Sequence, residues 1–222
     1  QDFCLENAPT VADIIVNQTG VIWYTTAQGG TALEPTTALV NGTIYHGALV
    51  DPITTCESSV RLAVTVTIND PGTPTTADDT QDFCLADAPT VADISVNETG
   101  VVWYAAAQGG APLAPTTALV NGTIYHAGFT DALTTCSSAA RLAVNVTVSD
   151  PVPPTTADTT QDFCIAAAPT VANIVVNETG VIWYTAAQGG TVIPPNTALV
   201  NGGIYFGALV ANGTTCESFA RL

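Results

Sequence analysis

The sequence contains no methionine and no lysine, and its only basic residues are Arg61, Arg141 and Arg221, against 19 acidic residues. The resulting net charge of −16 excludes nucleic-acid binding and docking on anionic membranes, because both need basic side chains to replace the counterions of phosphate groups. The absence of lysine also excludes Lys–Asn isopeptide bonds. Covalent cross-links therefore have to come from cysteine.

Long apolar runs and cysteine pairs are also missing. No stretch approaches the ~18 apolar residues of a transmembrane helix, so we predict no membrane insertion in this segment. The chain has six cysteines and no C-x-x-C motif. Two cysteines in each 80-residue stretch are too few for a structural zinc site without histidine support. We therefore predict disulfides, and hence an oxidising, extracellular or cell-surface location.

The sequence repeats itself with a period of 80 residues. QDFC recurs at 1, 81 and 161, and TALVNG recurs at 37, 117 and 197. A unit of roughly 70 ordered residues can enclose its own core, so the period predicts neighbouring modules of one kind in a tandem array. The predicted modules are 1–69, 81–149 and 161–222, with Pro/Thr/Asp linkers at 70–80 and 150–160. The third repeat stops at Arg221-Leu222, which correspond to Arg61-Leu62 in the first. It lacks the segment that follows these residues in the first repeat, so we expect a longer parent chain.

Short segments with alternating apolar residues indicate strands, and no segment has helical periodicity. In the first module they are Thr10–Val16, Val21–Thr25, Gly42–Val50 and Leu62–Ile68. Glycine, proline and asparagine turns separate them. This pattern predicts an all-β fold in which each module is a small antiparallel β-sandwich.

One motif makes the sandwich more specific. Leu39-Val-Asn-Gly-Thr43-Ile-Tyr45 resembles the tyrosine corner of fibronectin III and related immunoglobulin-like domains. The second repeat matches it, whereas the third has Gly203 in place of the threonine. The resemblance implies an immunoglobulin-like module with a buried tyrosine and a core tryptophan. The predicted core residues are Trp23, Trp103, Trp183, Tyr45, Tyr125 and Tyr205. By strand parity, we expect Tyr24, Tyr104 and Tyr184 on the outer face.

The whole unit is similar to the immunoglobulin-like repeats of very large Bacteroidetes surface proteins, including gliding-motility adhesins exported by the type IX secretion system. The matching residues include Thr10-Val-Ala-Asp13, Trp23-Tyr24, Gly29-Gly30 and Arg61-Leu-Ala-Val-Thr-Val, together with both cysteines. The resemblance implies an adhesive or structural surface region, lateral assembly into a filament, contacts with surface glycans and O-linked glycans on threonine. The threonines concerned are Thr75, Thr76, Thr155, Thr156 and Thr159.

The sequence permits two ways of pairing the cysteines. Pairing within modules joins Cys4–Cys56, Cys84–Cys136 and Cys164–Cys216, and staggered pairing joins Cys56–Cys84 and Cys136–Cys164. We predict pairing within modules. Cys4 precedes the first predicted strand and Cys56 lies in the loop before the last, which would place both at one pole of the sandwich. A strand of about seven residues puts more than ~20 Å between the poles, too far for a disulfide to the next module.

The recurring acidic residues have two further interpretations. Each arginine is expected to pair with a carboxylate, with Asp2, Asp82 and Asp162 as first candidates and Glu57 and Glu217 as alternatives. Linker acids could also bind Ca²⁺, although no D-x-D-x-D-G loop is present. The weak calcium candidates are Asp78, Asp79, Asp82, Asp158 and Asp162.

Nothing in the sequence points to catalysis or to a cofactor. The serines have no G-x-S-x-G elbow, and His46 and His126 correspond to Phe206 in the third repeat. We therefore predict a non-enzymatic structural or adhesive repeat region of an extracellular fibre or stalk. The alternatives are multivalent glycan-binding or protein-binding modules, and spacer repeats attached to a secreted enzyme.

Overall fold

The computed structural model describes residues 1–211 and 215–222, and over these residues it confirms the all-β fold class. Twelve short strands and six single-turn 3₁₀ helices form the secondary structure of these described residues. The strands are β1 Asp2–Cys4, β2 Val21–Tyr24, β3 Ile44–Leu49, β4 Leu62–Thr65, β5 Thr67–Asn69, β6 Thr80–Cys84, β7 Val102–Tyr104, β8 Thr123–Gly128, β9 Leu142–Ser149, β10 Ile182–Tyr184, β11 Val192–Ile193 and β12 Phe206–Ala208. The 3₁₀ helices are Leu5–Asn7, Val11–Asp13, Leu85–Asp87, Val91–Asp93, Ile165–Ala167 and Val171–Asn173.

The chain divides into two compact units. The first comprises 1–77, 95–113 and 125–144, and the second comprises 78–94, 114–124 and 145–222. No helix among the described residues has the length and apolarity needed to cross a membrane. The division into three modules at the predicted boundaries stays a prediction, and repeats 1, 2 and 3 below mean residues 1–80, 81–160 and 161–222.

One antiparallel pair recurs in every repeat: β2 with β3, β7 with β8, and β10 with β12. In repeat 1, β2, β3 and β4 form an antiparallel sheet with β3 in the middle, and Tyr24 lies opposite His46. Repeat 2 uses the order β6-β9-β8-β7, and repeat 3 the order β11-β10-β12. Apolar side chains alternate along these short strands, so one face of each sheet can pack inward.

The entry strand of a repeat pairs in parallel with its exit strand. In repeat 1, β1 lies beside β5, with Asp2 opposite Thr67 and Cys4 opposite Asn69. In repeat 2, β6 lies beside β9, with Cys84 opposite Ser149. The cysteine at the end of the entry strand is therefore brought to the end of the repeat where the chain leaves it.

The layer that packs against this sheet contains turns at Thr10–Val16, where the sequence predicted a strand. Only Thr10 forms a bridge, to Ala38, and Val11–Asp13 is a 3₁₀ helix. The prediction was wrong because the Asp13 carboxylate accepts hydrogen bonds from the Thr10 N–H at 2.7 Å and from its hydroxyl at 2.9 Å. This capping box closes a helical turn, and it recurs at Thr90 and Thr170.

The core of repeat 1 forms between these two layers. It contains Val11, Ile14, Trp23, Leu39, Tyr45 and Val66. Trp103, Trp183 and Tyr125 are buried at the equivalent places, whereas Tyr205 is half-buried. The Tyr45 hydroxyl accepts a hydrogen bond from the Val40 N–H at 2.9 Å, and Tyr205 accepts the same bond from Val200 despite Gly203.

Replacing Tyr45 with phenylalanine should lower the free energy of unfolding by about 1 kcal/mol, because one hydrogen bond is lost while the ring still fills its site. Urea unfolding measures this change. Tyr45→Ala is the matched control and should cost about 3–5 kcal/mol, since it empties the ring cavity as well. Equal losses from both variants would contradict a specific role for the hydroxyl.

Candidate functional site: the junction between repeats

Each repeat holds its single arginine in the same clamp. The Arg61 guanidinium lies 3.4 Å from the centroid of the Tyr24 ring, and its Nη1 donates to the carbonyl oxygens of Thr26 at 2.8 Å and Gly29 at 2.7 Å. Arg141 and Arg221 repeat the stacking at 3.4 and 3.5 Å. Both also donate to the equivalent carbonyls. The arginine thus fixes the Gln-Gly-Gly turn to the sheet.

This clamp corrects two expectations. Tyr24, Tyr104 and Tyr184 are buried beneath the guanidinium groups, whereas parity predicted that they would be exposed on the outer face. Arg61 and Arg221 pair with the alternative partners Glu57 at 3.0 Å and Glu217 at 3.9 Å, not with Asp2 or Asp162. Each glutamate lies four residues before its arginine, beside the tyrosine hydroxyl that donates to it. Burial, with the hydrogen bond to Glu217 as second cause, raises the pKa of Tyr184 to about 12.

The disulfides connect successive repeats, which differs from the predicted pairing. Cys4 is bonded to Cys136 and Cys84 to Cys216, each across 132 residues, with Cα–Cα distances of 5.2 and 5.0 Å. The predicted pairs Cys4–Cys56, Cys84–Cys136 and Cys164–Cys216 do not form. Cys56 and Cys164 are free thiols on exposed loops. The first cysteine of one repeat is thus bonded to the second cysteine of the next.

The parallel entry strand explains this difference. The prediction assumed that Cys4 precedes the first strand and lies at the pole of the Cys56 loop. The structure places Cys4 at the end of strand β1, opposite Asn69, so the cysteine has already crossed to the exit end of its repeat. The Cys136 loop of the next repeat lies there, and the Ser137 N–H donates to Glu6 Oε1 at 3.0 Å beside the disulfide.

The predicted linkers bind to the repeat that follows them. At the first junction, the Ala139 N–H donates to Asp70 Oδ1 at 3.2 Å, the Ser138 hydroxyl donates to the Gly72 carbonyl, and the Thr73 hydroxyl donates to the Ala140 carbonyl at 3.0 Å. Pro74 is fully buried. At the second junction, the Phe219 N–H donates to Asp150 Oδ1 at 2.9 Å. Each linker is therefore attached to a folded surface along its first half.

A glutamate clamp secures the second half of each linker. Glu98 accepts hydrogen bonds from the Thr75 N–H at 2.8 Å and from its hydroxyl at 2.6 Å, while Asn97 Nδ2 donates to the Thr75 hydroxyl oxygen at 2.9 Å. Glu178 holds Thr155 in the same way at 2.6 and 2.7 Å. These hydrogen bonds lower the pKa of both glutamates. Repeat 1 carries Gln18 at the equivalent position.

Some of the threonines and aspartates predicted as modification or calcium sites have structural partners here, and the others are exposed. The Thr75 and Thr155 hydroxyls are held by the clamp, the Thr76 and Thr156 hydroxyls donate to the carbonyls of Ser95 and Val175, and Thr159 is exposed. Asp78 and Asp158 accept hydrogen bonds from the N–H groups of Thr80 and Thr160. Asp79, Asp82 and Asp162 are exposed. Among the described residues no group of three acidic, histidine or cysteine side chains is arranged to hold a metal ion.

Repeat 3 has a cavity where repeats 1 and 2 have an exit strand. The cavity measures about 1160 Å³, and Trp183, Leu199, Tyr205 and Leu222 line part of it. The equivalent space in repeats 1 and 2 contains the buried side chains Val66 and Val146. In repeats 1 and 2 the exit strand fills this space.

One known protein family is similar to part of this chain. Residues 71–149 match the model of a family described as "Ig-like domain CHU_C associated". This part of the chain is therefore similar to an immunoglobulin-like domain. The match begins at Pro71, so it includes the linker that is attached to repeat 2. No curated protein matches the chain.

The glutamate clamp should make the junction sensitive to acid. A carboxylate whose folded-state pKa is lowered stabilises the fold above its ordinary pKa of about 4.3, and this contribution is lost as the pH falls through the lowered value. The variant Glu98→Gln/Glu178→Gln should therefore be less stable than the parent at pH 7 and nearly equal to it at the acid end.

Urea unfolding of both proteins between pH 7 and pH 2 measures the difference. Thr19→Ala, in the equivalent turn of repeat 1, is a matched control that leaves both clamps intact and should retain the parent's pH dependence. A stability difference that does not change with pH would contradict the charged clamp.

Proposed function

We propose that this chain is the repeat region of an extracellular cell-surface fibre or stalk, in which every repeat is fastened to the next by a disulfide and a bound linker. The observation that carries this proposal is the Cys4–Cys136 bond and its copy Cys84–Cys216, each of which joins the first cysteine of one repeat to the second cysteine of the next. An immunoglobulin-like domain is a suitable structural unit for such a region, and its disulfides suit an oxidising location.

The position of the disulfides supports a load-bearing role. A force applied at the N-terminus reaches Cys4 after three residues and then passes through the S–S bond to the Cys136 loop of repeat 2. Most of repeat 1 is thereby kept out of the covalent load path. The Cys84–Cys216 bond likewise keeps most of repeat 3 out of this path, which runs through residues 84–136 of repeat 2.

The linkers support the same role. A fibre needs little slack between its units, and a proline-rich segment already favours an extended conformation. Here the hydrogen bonds of Asp70, Gly72, Thr73 and Thr75 also tie the segment to repeat 2. Such a linker costs less conformational entropy when the chain is stretched, because it has already been ordered.

The similarity to Bacteroidetes surface repeats favours a cell-surface adhesin exported by a type IX system as the parent protein. Lateral assembly into filaments and contacts with surface glycans belong to this proposal. No active site is part of this proposal, because the polar groups that recur are those of the arginine clamp, the glutamate clamp and the capping boxes. We therefore assign a mechanical role to the polar groups that recur.

Single-molecule pulling from both termini tests the load-bearing role. The shortest covalent path through two junction disulfides is less than a third of the chain, so at ~3.5 Å per residue the oxidised protein should extend only roughly 0.3 times as far as the reduced one. The measurement uses Cys56→Ser/Cys164→Ser to prevent cross-linking between molecules.

A matched variant identifies the bond that bears the load. Adding Cys4→Ser should lengthen the oxidised chain, since the path then runs through the backbone of repeat 1. Equal extension of the oxidised and reduced proteins would overturn the load-bearing role. Specific binding on a glycan array, abolished by a surface substitution in every repeat, would favour the multivalent binding alternative.

A further inference from the structure

His126 lies on the sheet face that Arg141 covers in repeat 2. It is opposite Tyr104 on the neighbouring strand β7, so the two side chains project from the same face of the sheet. The Arg141 guanidinium stacks on Tyr104 at 3.4 Å, and a Cβ atom added to Gly128 would lie 3.4 Å from Arg141 Cγ. Gly128 follows His126 by two residues and shares its face. The arginine side chain therefore extends along this face from Gly128 to Tyr104, past His126.

One ring nitrogen of His126 has no partner. Its Nδ1 is buried and has no hydrogen-bond partner among the described residues. In a neutral imidazole one nitrogen carries a hydrogen and the other a lone pair. The hydrogen belongs on Nε2, because an N–H group at Nδ1 would be a buried donor without an acceptor. A second proton therefore has to enter at Nδ1, where nothing accepts its hydrogen bond.

Arg141 also lacks the carboxylate that accompanies the other two arginines. Arg61 and Arg221 lie 3.0 and 3.9 Å from a glutamate, whereas Arg141 forms no ion pair in the part of the chain that the structure describes, and the equivalent position is Ser137. Burial, with the charge of Arg141 as second cause, lowers the pKa of His126. A proton on this ring would place a second positive charge beside an arginine that has no counter-ion.

The neighbouring strands supply no carboxylate at the ring. On β7 the titratable group that faces His126 is the Tyr104 phenol. On β9 the facing residue is Ala143, because His46 lies opposite the equivalent Ala63 in repeat 1. The positive charge of a protonated ring would thus remain uncompensated from both sides.

The segment 136–141, which ends at the arginine, also holds the preceding linker. Its backbone N–H groups donate to the carboxylates of Glu6 at 3.0 Å and Asp70 at 3.2 Å, so both carboxylates are bonded to the backbone of this segment. The hydroxyl of Ser138, within the segment, donates to the Gly72 carbonyl. The position of the arginine is therefore coupled to the surface on which the linker lies.

We propose that protonation of His126 releases Arg141 from its clamp and thereby loosens the hold of segment 136–141 on the preceding linker. A proton from solvent adds to Nδ1, and repulsion between the two cations drives the guanidinium away from Tyr104. The turn around Gly109 then loses the carbonyl hydrogen bonds that Arg141 donates at 2.7 Å. The inference concerns repeat 2 alone and does not depend on the proposed load-bearing role.

The other two repeats lack one of the two conditions for this response. In repeat 1 the histidine is present as His46, but Glu57 accompanies the arginine at 3.0 Å. In repeat 3 Phe206 occupies the position of the histidine and cannot take up a proton. Both repeats are therefore internal controls within the same molecule.

Linkage gives the direction of the pH effect. An opened repeat exposes His126, which then binds a proton near the ordinary histidine pKa of about 6.5, whereas the clamped form resists protonation. Above this pH both forms are neutral and the clamp has its full strength. As the pH falls below it, the opened form binds the proton first and is favoured, by up to about tenfold at pH ~5.5. This range lies above the one in which Glu98 and Glu178 titrate.

Hydrogen–deuterium exchange followed by NMR at pH ~7.5 and ~5.5, corrected for intrinsic exchange rates, tests the inference. The Ser138 N–H donates to the Phe129 carbonyl at 3.0 Å and should lose protection by up to about tenfold at the lower pH. The equivalent N–H groups of Ser58 and Ser218 donate to the corresponding carbonyls at 2.8 Å and should keep their protection.

Three variants separate the histidine from other acid effects. His126→Phe introduces the residue type that repeat 3 carries at this position, and it should abolish the loss of protection at Ser138. His46→Phe is the matched control and should leave that loss unchanged. Ser137→Glu supplies the carboxylate found beside the arginine in the other two repeats, and it should reduce the loss.

Three outcomes would overturn the inference: an equal loss of protection at Ser58, Ser138 and Ser218, a loss at Ser138 that persists in His126→Phe, or full protection of Ser138 while the NMR signals of His126 show a protonated ring. If His126→Phe does not fold, the comparison of the three serines within the unsubstituted chain still decides between these results.

Discussion

The parallel pairing of the entry strand with the exit strand determines how the repeats are connected. Strand β1 has three residues and places Cys4 beside the end of β5. Strand β6 has five residues and places Cys84 beside the end of β9. A cysteine near the start of each repeat is thereby brought to its exit, where a disulfide to the same repeat's Cys56-type loop is out of reach. The bond to the next repeat follows from this register.

The polar groups of this acidic chain serve as fasteners at three levels. Within a repeat, the arginine links the sheet to the Gln-Gly-Gly turn through stacking and two carbonyl hydrogen bonds. Between a linker and its repeat, Glu98 or Glu178 holds a threonine. Between repeats, the disulfide closes the junction.

Sequence reasoning could predict the all-β class and the tyrosine corner, because both depend on local patterns that recur along the chain. It missed the 3₁₀ helix at Val11–Asp13 because apolar alternation and a Thr-x-x-Asp capping box coincide there. The capping box was the signal that could have been used. The prediction that Tyr24 is exposed was wrong, because strand parity cannot show that an arginine covers the tyrosine ring.

The cysteine pairing needed tertiary information. Asp2–Cys4 is a three-residue strand, too short to reveal a period, and its partner β5 lies more than sixty residues later. Neither the parallel register nor the attachment of Asp70–Thr75 to the following repeat can be read from residue types. The spacing of 132 residues was available in the sequence, but so were several other spacings.

Non-reducing peptide mapping of the purified chain, with free thiols blocked before digestion, tests the central claim most directly. The account predicts peptides that link Cys4 with Cys136 and Cys84 with Cys216, and blocked thiols at Cys56 and Cys164. Peptides that link Cys4 with Cys56, or Cys56 with Cys84, would contradict it.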